Sequence, residues 1–311
     1  MLIPLGLLLV NFLSFSYAHF ALPHRIAQNP FSGQVPVVQP LLPTYAAYLG
    51  GLLLGNLGSL PSAGGDVLDV LITSTGASLG LLAAAMFIAI LLGLVIGMRA
   101  AKQEPARVAP WLTVTSTVGL AMPSFYIGMI FIVGSILYAI RGEPGTQPPL
   151  PLQGFGWDAH MIFPVIVLAA RPTMEIAQIT ANTMVNELNK QYVVAARAMG
   201  NSWRSVRWRH VFRNVLSTIV VSISRSFRLL VGELILVEVL FSWPGLGRLL
   251  GRTLTPSQLT NTISSTFLNA PLVAGCVTLF TLLFLLMDLL ANLVIHAADP
   301  RLNVALESGD E

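Results

Sequence analysis

Several groups of residues in this 311-residue chain have types and spacings suited to chemistry. Gly76-Ala77-Ser78-Leu79-Gly80 matches G-x-S-x-G, the turn that exposes a nucleophilic serine in hydrolases, with His19 as a candidate base. That elbow needs a preceding strand, whereas here the string opens an apolar run in which Gly76 and Gly80 also read as a small-residue packing face. Gly93 and Gly97 repeat the spacing, which favours packing over an intramembrane serine protease using Ser78. A second group is charged: Arg171, Glu175, Arg225, Arg228, Glu233 and Asp288 interrupt otherwise apolar stretches. Ionised side chains in hydrocarbon are costly, so they line an aqueous pathway or lock helices together in pairs. Arg171 and Glu175, four residues apart on one helical face, are placed to pair with each other. Asp288 reads as structural or interfacial.

Other chemistries are missing. Only Lys102 and Lys190 are present and neither follows a glycine, so the chain holds no phosphate-cradling G-x-x-x-x-G-K-[ST] loop and no ATPase site of its own. The five histidines form no H-E-x-x-H and there is no C-x-x-C, so neither a metal nor another cofactor is expected. The single Cys276 lies in an apolar run and reads as packing.

The elements that must position these residues are membrane helices. The chain is 54% hydrophobic and 10% charged, with a mean hydropathy of +0.74, whereas a soluble domain carries roughly a quarter of its residues charged. About 20 apolar residues cross a bilayer. Runs at 2–21, 79–98, 108–140, 161–184, 215–240 and 268–295 give about six transmembrane helices of an all-α integral membrane protein. Pro110 and Pro123 are expected to start and kink the third. The run 41–60, punctuated by Gly50, Gly51, Gly55 and Gly58, reads as a surface-lying or re-entrant helix within an external segment 22–78. Arg99, Lys102 and Arg107 sit in one connection, and Lys190, Arg197, Arg204, Arg207, Arg209 and Arg213 in another two spans later. The positive-inside rule puts both 99–107 and 187–213 in the cytoplasm, with the tail 302–311.

The segment Glu187 to Ser217 carries the most information. Tyr192 to Met199 forms a helix, Gly200 caps its end, and Ser202 N-caps a short second helix from Trp203, on which Trp203, Val206, His210 and Phe212 make an apolar stripe. A basic strip for nucleic acid, a lipid-anchoring loop and a docking knob for a partner all compete here. Lipid contact needs charge but no such ordered backbone plan.

On these residues the chain resembles a family. Ala195-Ala196-x-x-x-Gly200 looks like the EAA loop of ABC importer permeases, whose short helix seats in a groove of the nucleotide-binding subunit. Gln191-Tyr192 through Gly200, then Arg209-His210-x-Phe212-Arg213-Asn214, resembles the dipeptide, oligopeptide and nickel branch. Glu238-x-x-Phe241-Ser242-Trp243-Pro244-Gly245-Leu246-Gly247-Arg248-Leu249 resembles the same branch's string after the fifth span. Weaker echoes are Leu49-Gly50-Gly51-Leu52, Pro123-Ser124-Phe125 and Asp299-Pro300-Arg301. Val194 stands where many permeases carry the EAA glutamate, and His210 and Arg213 replace the Ile and Pro of the general motif.

The resemblance implies a type I permease bundle: a first helix at 1–21 and a five-helix core at 79–301 that includes the coupling loop. It also implies a second homologous permease, two cytoplasmic ATP-binding subunits, an external substrate-binding protein, and an inner-membrane location in a bacterium or archaeon. The coupling residues would be Ala195, Ala196, Gly200, Ser202, Trp203 and Arg204. Arg171, Glu175, Arg225, Arg228 and Glu233 would line the pathway, and the external loop of Trp243, Pro244 and Gly245 would touch the binding protein or gate the outer mouth. An ion-coupled secondary transporter is the competing class. It would use coupling carboxylates and inverted repeats, and no such repeat is visible. The sequence leaves the cargo open among dipeptide, oligopeptide, glutathione and nickel.

Overall fold

A computed structural model describes residues 2–28, 39–60, 65–143, 148–255 and 266–298. The string Asp299-Pro300-Arg301 and the tail 302–311 lie outside them. The helices are α1 (Leu2–Gln28), α2 (Leu41–Leu53), α3 (Val67–Ala100), α4 (Pro110–Ala121), α5 (Ser124–Arg141), α6 (Ile162–Leu188), α7 (Gln191–Ala198), α8 (Trp203–Ser205), α9 (Phe212–Leu240), α10 (Leu246–Leu254) and α11 (Ala270–Ala298). Helices α1, α3, α5, α6 and α11 are long and apolar enough to cross a membrane. Helix α9 has 29 residues, about 43 Å at 1.5 Å per residue, and reaches membrane length while carrying Arg225, Arg228, Glu233 and Glu238.

The first helix runs on to Gln28, past the expected 21, and three other boundaries differ from expectation for local reasons. The run 108–140 is two helices, because Pro123 lacks an N–H and drives Met122 into an extended conformation (ψ 121°), so α4 stops where a kink was expected. Helix α3 begins at Val67, well before the apolar run at Leu79, with Asp69 in its first turn where a carboxylate favours the helix dipole. Helix α2 ends at Leu53, and Gly55 turns the chain in the left-handed region (φ 71°).

The chain forms two compact units. The first holds residues 1–80, 153–155 and 238–284. Its α1 and α2 meet through Phe12, Phe15, Tyr45 and Tyr48, with Phe15 and Tyr48 rings 5.0 Å apart. Asn11 is buried among them and is fully used: its amide donates to the Tyr48 hydroxyl (3.0 Å) and to Thr278 (2.9 Å), while Tyr45 donates to its oxygen (3.1 Å). Burial pushes the hydroxyls of Tyr45 and Tyr48, on the short helix α2, above the usual phenol value. Cys276 is buried, as its apolar run implied.

The second unit holds residues 81–152, 156–237 and 285–311 and is centred on α6. Gly93 and Gly97 on α3 form the expected packing face: a β-carbon at Gly97 would lie 2.6 Å from the Ala177 carbonyl, and one at Gly93 would lie 2.8 Å from Ile176. Gly76 does not extend that face, because nothing lies within 4 Å of a β-carbon built there. The basic connection after α3 is a two-stranded hairpin, β1 (Ala101–Gln103) with β2 (Ala106–Val108), pairing Lys102 with Arg107.

Gly97→Leu should force α3 from α6 and destabilise the protein by about 1–3 kcal/mol, the usual cost of overpacking. The check is the thermal melting point in detergent. Gly76→Ala, made alongside it, should hold or slightly raise that melting point, because the position is open and alanine is the better helix former.

Candidate coupling and translocation site

The basic segment after α6 folds much as its caps dictate. Gly200 adopts φ 85° and closes α7, its N–H donating to the Arg197 carbonyl (2.9 Å). The Ser202 hydroxyl accepts from the Ser205 N–H (3.3 Å) and starts α8. Arg197 stacks 4.6 Å over the Trp203 ring and donates to the Asn201 carbonyl (2.6 Å), bracing the elbow from both sides.

The expected short second helix is not separate. Trp203–Ser205 runs through a π turn, Val206–Val211, directly into α9. The π turn spaces Val206 five residues from Val211, and Val215 and Ile219 continue that face. All four are buried against Met184, Val185 and Leu188 of α6 and Val193 and Ala196 of α7. Trp203 and Phe212 flank this cluster, and His210 is half-buried like them. The opposite face carries Val194 (68% exposed), Met199 (76%) and Trp208 (52%), with Ser202, Arg204, Ser205 and Trp208 lining a hollow of about 470 Å³.

Within the long helices the charges pair differently from expectation. Arg171 donates to Glu233 on α9 (2.7 Å), not to Glu175, and Glu175 accepts from Ser226 (2.8 Å). The neighbouring helix presents partners across the interface, and these win over the contact along α6. Arg228 pairs with Asp288 of α11 (3.0 Å), and Arg225 stands exposed. Arg171, Glu175, Gln178, Asn182 and Asn186 form a polar stripe along α6 at helical spacing. Asn214, Thr218, Arg225 and Arg228 form an exposed one on α9.

The loop after α9 belongs to the first unit. Trp243 is wholly buried, donating from its indole to the Ala77 carbonyl (3.0 Å) and packing on Phe155. The Glu238 carboxylate sits at the start of α10 and accepts from the N–H groups of Gly247 (2.7 Å) and Arg248 (3.2 Å). Ser78 donates to Glu238 (2.5 Å) and accepts from the Leu246 N–H (2.8 Å), so the two side chains satisfy three orphan donors of α10. Gly245 has no room for a side chain, since a β-carbon would lie 2.0 Å from Glu238 Oε1. Ser78 is thus buried and engaged, and His19 bonds the Gln39 carbonyl (2.9 Å), which leaves the hydrolase reading without its geometry.

Glu187 was missed in the sequence. It is buried at the end of α6 and receives Tyr192 (3.0 Å), Asn214 (3.2 Å) and Lys190 (2.6 Å). Burial and this carboxylate push the Tyr192 phenol up to about 12, so its hydroxyl remains a donor. Polar residues at both ends of the basic segment were the available signal.

Residues 89–304 match the family described as binding-protein-dependent transport system inner membrane component. The chain belongs to that family, the permease subunits of ABC importers, and is a multi-pass membrane protein. It is 28% identical over 335 residues to the di/tripeptide transport system permease protein DppB of Pseudomonas aeruginosa (strain UCBPP-PA14), covering 96% of each chain. It is 29% identical over 308 residues to the glutathione transport system permease protein GsiC of Salmonella choleraesuis (strain SC-B67), covering 94% of each. Against the oligopeptide transport system permease protein AppB of Bacillus subtilis (strain 168), identity is 26% over 262 residues, covering 83% of this chain and 79% of the relative.

Glu238→Ala should strand the Gly247 and Arg248 amides, costing about 1–3 kcal/mol for each buried donor left unpaired. Hydrogen exchange at 246–248 should accelerate by at least about tenfold, and Ser78→Ala should expose the Leu246 amide in the same way.

Proposed function

We propose that the chain is the membrane-spanning permease of an ATP-driven importer for short peptides or related small solutes, working in a bacterial or archaeal inner membrane. It has no ATPase site of its own and is driven by two cytoplasmic ATP-binding subunits, with a second homologous permease beside it and a binding protein outside. The observation that carries this reading is the two-faced basic segment. Its inner face is fixed on α6 and α9 by Val193, Ala196, Val206 and Val211, while Val194, Met199, Trp208 and Arg204 are left outward. Exposed apolar side chains among cations on a braced elbow suit a protein groove better than lipid headgroups alone.

In this reading 99–107 and 187–213 are cytoplasmic. Ala195, Ala196, Gly200, Ser202, Trp203 and Arg204 form the coupling element: Gly200 sets its bend, Ser202 its second helix, and Trp203 with Arg197 its stiffness. Closure of the ATPases pushes this element, and rigid-body rocking of the spans alternates access. Arg171, Glu175, Arg225, Arg228 and Glu233 lie on or beside the polar stripes of α6 and α9 and line the pathway. The varied cargo in the relatives' names, di- and tripeptides, oligopeptides and glutathione, fits a weakly binding passage whose selectivity comes from the external binding protein. Trp243, Pro244 and Gly245 shape the outer loop from within, with Glu238 as their anchor.

Purification from native membranes in mild detergent should recover P-loop ATPases and a second permease. Arg204→Glu and Gly200→Val should each lower ATPase recovery by at least about tenfold, the weight of losing one docking anchor. In proteoliposomes of the recovered complex, uptake of dialanine should persist with a protonophore and stop with vanadate. A chain that elutes alone, or uptake that collapses with the proton gradient, would overturn the reading.

A further inference from the structure

We infer that Glu187 is a positioning residue for energy coupling, the carboxylate that fixes the coupling helix α7 to both membrane helices flanking it. The inference rests on the coupling role proposed above and concerns a residue outside the family string. No acid lies on α7, and Val194, where the resemblance would place one, points away from the spans at 68% exposure. Glu187 supplies the missing carboxylate from the last turn of α6. Its Oε1 accepts from Tyr192 on α7 (3.0 Å) and from Asn214 on α9 (3.2 Å), and its Oε2 meets Lys190 in the joint between α6 and α7 (2.6 Å).

The placement is mechanical. Everything between Glu187 and Asn214 is the excursion that carries α7, the Gly200 elbow and α8, so the Glu187–Asn214 bond closes that excursion at its base. The apolar cluster beneath α7 is non-directional and holds the segment down without fixing its rotation. Hydrogen bonds to a charged acceptor are directional and stronger than neutral ones. Three of them converging on one buried side chain remove the slack between a push on α7 and movement of α6 and α9.

The test uses the complete importer in proteoliposomes, with dialanine as the transported probe and ATP hydrolysis measured in the same vesicles. Glu187→Ala should retain its ATPases and their basal hydrolysis while peptide moved per ATP falls by more than about tenfold, since a single hydrogen bond to a charged group carries about that weight and three are lost. Tyr192→Phe, which removes one hydroxyl, should lower the ratio less, and Glu187→Asp should restore part of it. Spin labels at Met199→Cys and Thr218→Cys give a readout independent of cargo. Their distance distribution should broaden in Glu187→Ala, with the buried Cys276 unlabelled. An unchanged ratio in Glu187→Ala overturns the inference, as does a proportional loss of uptake and hydrolysis in both Glu187→Ala and Tyr192→Phe. If Glu187→Ala does not assemble, Tyr192→Phe decides by the same ratio. A wild-type chain that holds no ATPase overturns the coupling reading itself, whereas equal coupling in wild type and variant overturns only the role of Glu187.

Discussion

A polar group inside a bilayer must find a partner or water, and in this chain that requirement arranges the helices as firmly as hydrophobic burial does. An arginine at the centre of a membrane helix costs about 2.5–3.5 kcal/mol even on insertion scales. Arg171 pairs with Glu233, Glu175 with Ser226 and Arg228 with Asp288, and each of these contacts joins one helix to another. The contacts fix how α6, α9 and α11 are turned about their own axes, which apolar side chains in contact with equally apolar lipid do poorly. Backbone donors obey the same rule. At α10, Glu238 and Ser78 take the place of water for three N–H groups, and Gly245 is the residue that lets the carboxylate reach them.

Close approach supplies the rest of the second unit. Gly93 and Gly97 bring α3 against the α6 backbone near Thr173, Ala177 and Thr180, where any side chain would collide. With α3 so close, and α4 and α5 also packed on it, α6 becomes the element from which the polar stripe and the basic segment are both hung.

Local signals were readable in the sequence and long-range ones were not. The Gly200 and Ser202 caps each depend on a few neighbouring residues and could be placed from spacing alone. Pro123 was visible, yet whether it kinks or ends a helix depends on the conformation of Met122. The partners of Arg171 and Glu175 lie on α9, far along the chain, so the spacing along α6 pointed to a pair that the folded protein does not make. The π turn at Val206–Val211 has no sequence signature, so the five-residue spacing of Val206 and Val211 appears only once they pack beneath α7. Glu187 went unnoticed because a lone carboxylate near a helix end has no signature until Tyr192 and Asn214 are brought to it. The Ser78 string shows the converse: five matching residues said little, and the burial of the hydroxyl said what it is for.

The π turn at Val206–Val211 has an arithmetic of its own. It fits one residue more than an α turn into nearly the same rotation, so Val211, Val215 and Ile219 stay on the face that Val206 begins. The extra residue is absorbed as a bulge, and a chain one residue shorter there would keep that face against α6 and α7 while losing the widened turn.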